Sequence, residues 1–150
     1  LFLNKTGNFC KKSVISQMIE IYIQHQCSIV AIEEVPMNQT HKYGIIAGKL
    51  VENSINTYQV SDMVEKPKER DAPSNLAIIG RYILTPDIFK ILENLKPDKS
   101  GEIQITDALN IQAKQGKVVA YKFKGKRFDC GGIKGYLEAT NFLASKNGII

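Results

Sequence analysis

Ser13-Val-Ile-Ser-Gln-Met-Ile-Glu-Ile-Tyr-Ile-Gln-His-Gln26, followed one cysteine later by Ser28-Ile-Val-Ala-Ile32, is where the fold class of this chain can be read. In the first part Val14, Met18, Ile21 and His25 recur at helical spacing. Ile15, Ile19 and Ile23 widen the apolar face, so an amphipathic helix is predicted over 13–26. The second part runs mostly β-branched residues without polar interruption, the pattern of a strand buried on both faces. A helix feeding a buried strand is the rhythm of an α/β sheet.

Working outward, 37–42 is polar and loop-like, and the pattern then changes to strands punctuated by turns. Strands are predicted over 44–51, 59–66 and 76–84. Turn-prone Glu52-Asn-Ser54 and Asn56 separate the first two. A charged, proline-bounded loop spans 67–73. Gly80, inside the third strand, implies close backbone approach by a neighbour or ligand. Thr85-Pro86-Asp87 is a helix start: the Thr hydroxyl can cap free amides, Pro fits the first turn and Asp complements the positive end. Ile88, Ile91, Leu92 and Leu95 form that helix's buried stripe, and Pro97 ends it. A helix over 106–113 closes at Gly116, and a strand over 118–123 alternates with Lys. A last helix covers 134–146, with Tyr136, Ala139 and Leu143 on one face. The short connection near residue 55 favours antiparallel pairing, so the sheet is expected to be mixed.

Composition bounds the function. The 150 residues are 43% hydrophobic and 23% charged, enough for one domain with a real core and too apolar for disorder. No apolar run approaches the ~18 residues of a membrane span. A net charge of +5 permits an anionic ligand without demanding nucleic acid. Cys10, Cys27 and Cys130 are too sparse for a disulfide framework, which points to a reducing, cytoplasmic setting. Leu1-Phe2-Leu3 opens the chain without Met and Gly148-Ile149-Ile150 closes it on bare apolar residues. Both ends are therefore expected to be cuts through a longer protein.

Most chemical motifs fail. His25 and His41 are far apart in sequence and no Cys-x-x-Cys occurs, so a Cys/His metal cluster is not expected. There is no Gly-x-Ser-x-Gly elbow, and Cys130 reads as a small buried thiol. The basic run Lys122-Phe-Lys-Gly-Lys-Arg127 has ordinary half-buried strand patterning, with no RNA-binding aromatic signature. Gly131-Gly-Ile-Lys-Gly135 lacks Walker spacing and reads as a turn before a helix.

Val64-Glu65-Lys66-Pro67 is more informative. Strand alternation puts Glu65 and Lys66 on opposite faces unless the proline bends the chain. A carboxylate suits sugar hydroxyls as an acceptor and an ammonium suits a phosphate oxygen, so the pair can hold both ends of a sugar phosphate. It can equally be an exposed surface pair of little energetic weight.

Val64-Glu-Lys-Pro-Lys68, Ala72-Pro-Ser-Asn-Leu-Ala77, Gly80-Arg-Tyr82, Gly101-Glu-Ile-Gln-Ile-Thr-Asp-Ala108 and Phe128-Asp-Cys-Gly131 follow one another in this order. With Lys42-Tyr-Gly-Ile45 and the terminal Gly135-Tyr136 helix, the set closely resembles the bacterial UTP–glucose-1-phosphate uridylyltransferases over nearly the whole chain. The resemblance implies part of a Rossmann-like α/β nucleotidyltransferase fold, a mixed and largely central sheet flanked by helices. Residues 1–150 would form the C-terminal, sugar-phosphate-binding portion of one domain, with the N-terminal nucleotide-binding portion absent.

The implied reaction transfers UMP from UTP to α-D-glucose 1-phosphate, giving UDP-glucose and pyrophosphate, with Mg²⁺ offsetting the clustered negative charge. By motif match Gly44 approaches a sugar hydroxyl through its backbone, Glu65 accepts sugar hydroxyls and Lys66 contacts the sugar phosphate. Asp129 takes the position of a carboxylate near the metal, and Asn75 and Arg81 are surrounding binding residues or scaffold. Lys66 and Asp129 are thus the implied catalytic pair and Asp129 the implied metal ligand.

Two departures stand out. The Gly-rich opening segment that cradles UTP and the early Asp that anchors Mg²⁺ are missing, and Ile133 stands where members often carry Lys, with Lys134 next to it. The 150 residues alone are therefore expected to be inactive, and a sheet edge and apolar helix faces are expected to lie uncovered. Expected partners are UTP and glucose 1-phosphate, with no nucleic acid or membrane, and a homo-oligomer in the full-length enzyme. The alternatives are a thymidylyl- or guanylyltransferase on the same fold, or a non-catalytic sugar-phosphate-binding or assembly module.

Overall fold

The computed structural model describes residues 12–98 and 101–149; Cys10 and the terminal residues 1–3 and 150 lie outside them. The described residues divide into two compact units, one within 18–123 and the other of 12–17 with 124–149.

In the first unit the strands are β1 (Ser28–Glu34), β2 (Gly44–Leu50), β3 (Thr57–Glu65), β4 (Leu76–Ile83) and β5 (Val118–Lys122). They run in the order β1-β4-β2-β3-β5 and close into a barrel. β5 lies parallel to β1 while the other neighbours are antiparallel, so the sheet is mixed, as the short connection near residue 55 predicts. Closure gives every strand two neighbours, in contrast to the expected uncovered edge. β1 runs past the apolar stretch to Glu34, because Glu33 and Glu34 still pair with Ala77 and Leu76.

The helices α2 (Asp87–Asn94) and α3 (Ile105–Lys114) supply Ile88, Ala108 and Leu109 to a core with Val30, Ile32 and Ile46, all buried. Each of the Ile, Leu and Val side chains contributes about 1.5–3 kcal/mol by leaving water. Gly116, at φ 73°, closes α3, its N–H bonding the Ala113 carbonyl at 2.9 Å.

Two local expectations are corrected. The Thr85 hydroxyl does not cap α2; the cap position is Pro86, which makes no side-chain bond. It joins buried Ser28 and Gln112 instead, with Thr85 Oγ1 3.1 Å from Ser28 Oγ and accepting from Gln112 Nε2 at 3.1 Å. Ser28 Oγ already donates to Gln112 Oε1 at 2.8 Å, so what the Thr85 hydroxyl supplies is the acceptor for the buried Gln112 amide N–H, and leaving that donor unpaired would cost at least as much as a missing cap. Gly80 has nothing within 4 Å of where a Cβ would stand, so close approach is not its reason. Its φ is 70°, and Ile79, Gly80 and Arg81 bulge opposite Ala31 alone, between the pairs Val30↔Tyr82 and Ile32↔Ile78. The close approach is at Gly48, where a Cβ would stand 2.7 Å from the Gln59 carbonyl oxygen.

The helix α1 (Val14–His25) buries Val14 and Met18 and leaves Ile15, Ile19 and Ile23 exposed, an uncovered apolar helix face as expected. In the second unit Gln17 exchanges two hydrogen bonds with the Lys124 backbone, at 3.2 and 3.1 Å. There α4 (Ile133–Lys146) buries Ala139 against Phe128, and the Phe128 and Phe142 rings lie 5.3 Å apart with the Lys126 ammonium over both. Tyr136 and Leu137 are exposed. Cys130 is exposed, not buried, because the 129–132 turn keeps it outside that small cluster; Cys27 is buried, and burial pushes its thiol above the usual range. Among the described residues no helix is long and apolar enough to cross a membrane.

Candidate functional site

β2 begins and β3 ends at one cross-strand pair, Gly44 opposite Glu65. One further ladder bond follows, from the Lys66 N–H to the Tyr43 carbonyl at 3.0 Å. To make it with Pro67 next in line, Lys66 takes φ 45°, a left-handed conformation that costs a non-glycine residue about 1–2 kcal/mol. The turn cancels the strand alternation. Instead of facing away from each other, Lys66 Nζ and Glu65 Oε1 stand 3.9 Å apart. The lysine side chain is 61% exposed and the glutamate side chain 25%, so the lysine reaches into water beside a glutamate seated in the fold. Just beyond, Lys68, Glu69 and Arg70 line an open depression of about 630 Å³.

The other carboxylate oxygen is held from α3. Thr106, buried in the first turn of that helix, donates its hydroxyl to Glu65 Oε2 at 2.6 Å. A Cβ on Gly44 would stand 3.0 Å from that oxygen and 3.2 Å from Thr106 Oγ1. Tyr82, on β4, feels the same carboxylate: burial foremost, and then the negative charge of Glu65, push its phenol above the usual range. The second cause is testable. Glu65→Gln is expected to lower the Tyr82 midpoint while leaving it above an ordinary tyrosine, read by ultraviolet phenolate titration against Tyr82→Phe. An unmoved midpoint would separate the two residues.

Gly44, Glu65 and Lys66 are thus brought together. Asn75 and Arg81 lie at the entry and in the bulge of β4. The Asn75 carbonyl accepts from the Val35 N–H at 3.0 Å, and Ser74 Oγ beside it donates to the Ile46 carbonyl at 2.6 Å, so this segment ties β1 to β2. Arg81 is exposed. Asp129 belongs to the second unit: its Oδ1 accepts from the Gly131 N–H at 3.1 Å, and its Oδ2 lies 4.0 Å from Arg127 Nη1. Its side chain is 67% exposed. No three His, Cys, Asp or Glu among the described residues converge as a metal-ligand set. A magnesium ion takes only one or two carboxylates when phosphates and water supply its other oxygens, and the exposed Asp129 carboxylate is an oxygen donor of the kind it uses.

Thr106 and Tyr82 are the members that sequence reasoning did not name as functional. Both stand inside quoted motifs, but nothing in their spacing ties them to Glu65.

Residues 5–146 match the model of the nucleotidyl transferase family. A UTP–glucose-1-phosphate uridylyltransferase of Pseudomonas aeruginosa is 61% identical over 142 residues, covering 95% of this chain and 49% of the relative. Among solved structures, an apo UDP-glucose pyrophosphorylase superposes with a TM-score of 0.89 at 54% identity, covering 98% of this chain and 52% of that one. A UDP-glucose pyrophosphorylase complexed with UDP-glucose gives 0.83 at 58% identity, covering 89% and 50%. The chain spans about half the length of the curated relatives it matches.

Proposed function

The chain belongs to the nucleotidyl transferase family, with its Rossmann-like α/β fold, and from that premise we propose that it carries the sugar-phosphate side of a UTP–glucose-1-phosphate uridylyltransferase. The reaction is attack by a phosphate oxygen of α-D-glucose 1-phosphate on the α-phosphorus of UTP. A new P–O bond forms, the bond to the β-phosphate oxygen breaks, and pyrophosphate leaves with UDP-glucose as product. Such a transfer asks for positioning and charge stabilisation rather than covalent catalysis.

The observation that carries this reading is the Glu65–Lys66 pair, turned to one side at a strand exit with Glu65 already seated. In the proposal Glu65 accepts hydroxyls of the glucose and Lys66 neutralises its phosphate. Gly44 keeps that approach free of a side chain, and Asn75 and Arg81 border it. Asp129 offers a carboxylate oxygen to Mg²⁺. When bound, the ion offsets the negative charge of the phosphates, while these protein groups hold the sugar phosphate.

The 150 residues as they stand are proposed to bind glucose 1-phosphate without transferring UMP. The sequence has no glycine-rich loop of the Gly-x-Gly-x-x-Gly kind to cradle a triphosphate. The purified chain and the Pseudomonas relative are assayed side by side for UDP-glucose from UTP, glucose 1-phosphate and Mg²⁺. Glucose 1-phosphate alone is then added to the chain while thermal unfolding is followed. Stabilisation without turnover is expected, since a ligand of the folded state raises apparent stability. Turnover near the relative's would overturn the division of labour, and no stabilisation at saturating ligand would overturn the sugar-phosphate reading.

A further inference from the structure

Glu65 is the last residue of a strand, where a side chain ordinarily has rotamer freedom, yet one of its oxygens is held in a 2.6 Å hydrogen bond from a helix 41 residues further along the chain. We infer that Thr106 is a positioning residue, whose hydroxyl fixes Oε2 of Glu65 so that Oε1 is presented beside Lys66 to the incoming sugar phosphate. The inference rests on the reading of Glu65 as the sugar-binding carboxylate and extends it to a residue that does not itself touch the sugar.

Three observations carry it. First, Thr106 is only 4% exposed, so its hydroxyl has little access to water and the carboxylate is its hydrogen-bond acceptor. A bond of this length to an ionised acceptor is of the strong, charge-assisted kind. Second, α3 is a rigid support. Ala108, Leu109 and Ala113 bury it in the main core, and Asn110 Oδ1 accepts the Met63 N–H at 3.0 Å. Thr106 and Asn110 lie one turn apart on the helix, and Glu65 and Met63 lie two apart on β3. The helix rises about 6 Å over four residues and the strand about 6.6 Å over two, so both bonds form in one register. The pairing of β3 with β5 spans only Thr57 to Gln59, so the Met63 N–H lies beyond it and is taken up by α3.

Third, Gly44 makes room for the bond. Its absent Cβ would press on both partners, at 3.0 Å from Oε2 and 3.2 Å from Oγ1, and on Ile78 Cδ1 at 3.2 Å. Glycine at this position therefore has a reason inside the protein, the seating of the carboxylate, besides any approach of a sugar hydroxyl. The Gly101–Ala108 motif acquires a role as well: it starts the helix that delivers Thr106.

The test measures glucose 1-phosphate binding to the 150-residue chain by titration calorimetry. Thr106→Val is expected to weaken binding about tenfold, the order of one charge-assisted hydrogen bond, and Thr106→Ser to stay within about twofold, since it keeps the donor. Thr106→Ala and Thr106→Ser both lose the methyl, so this pair isolates the hydroxyl even if the valine variant does not fold. Equal binding by the two would overturn the inference. In a Glu65→Ala background Thr106→Val should add no further loss, because the two residues act as one unit; additive losses would overturn it too. The underlying reading fails differently. Wild-type chain that does not bind glucose 1-phosphate, or Glu65→Ala that binds normally, removes the sugar-binding role itself. Loss in Glu65→Ala with wild-type binding in a folded Thr106→Val variant removes only the positioning role.

Discussion

Glu65→Ala is expected to weaken glucose 1-phosphate binding by about 10- to 100-fold, the range for hydrogen bonds to a charged acceptor. Lys66→Ala should lose less, about five- to tenfold, because its side chain is 61% exposed and its attraction for phosphate is partly screened. The lysine's effect should also shrink as salt is raised, whereas that of the seated carboxylate should persist. Stability separates binding from folding. Removing Glu65 strands the buried Thr106 hydroxyl and should cost about 1–2 kcal/mol, while relaxing Lys66 touches no buried partner. Calorimetric titration at low and high salt, beside urea unfolding of each variant, reads all of these. Equal losses for both variants with equal salt dependence would mean that the carboxylate is no better seated than the ammonium, contrary to its bond with Thr106.

Gly135→Ala is expected to have the largest effect on stability, and the sign is the test. Gly135 lies in the first turn of α4, where helix propensity alone makes alanine better by about 1 kcal/mol. Packing opposes this. A Cβ there would run into the main-chain carbonyl of Asp129, whose carbon would be 2.8 Å away, and a backbone group cannot rotate aside as a side chain can. Overpacking of this kind costs about 1–3 kcal/mol and sometimes more, and the unit it strikes rests on the small cluster of Phe128, Ala139 and Phe142. The expected result is a lower unfolding midpoint, with faster amide exchange across 133–146. Unchanged or raised stability would show that the Asp129 carbonyl does not crowd Gly135. The same substitution displaces Asp129, so any binding role of that carboxylate should weaken with it.

How much of this was legible in the sequence follows the range of the forces involved. The helix at 14–25 and the strand from Ser28 were readable because their signal is periodic burial, carried by neighbours three, four or two residues apart. Gly116 was readable as a helix stop for the same local reason. Thr85 was misread because a capping hydroxyl and a buried network hydroxyl look alike until Ser28 and Gln112 arrive from elsewhere in the chain. Gly80 was misread because a strand glycine signals either crowding or a left-handed φ, and only the β1–β4 register chooses between them. The exposure of Cys130 likewise depends on which side of a turn faces its cluster.

From residue order alone came the α/β class, the mixed sheet, the adjacency of a carboxylate and an ammonium at a strand's end, and the motif set that resembles a family. All of these are statements about neighbours along the chain, where covalent geometry does the work. The side to which Lys66 turns was decided by a ladder bond to Tyr43, and the seating of Glu65 by a threonine 41 residues away. Barrel closure was decided by β5 returning to β1. Such contacts exist only once the core has brought distant segments together, because a hydrogen bond acts over about 3 Å and leaves no periodic trace in the sequence.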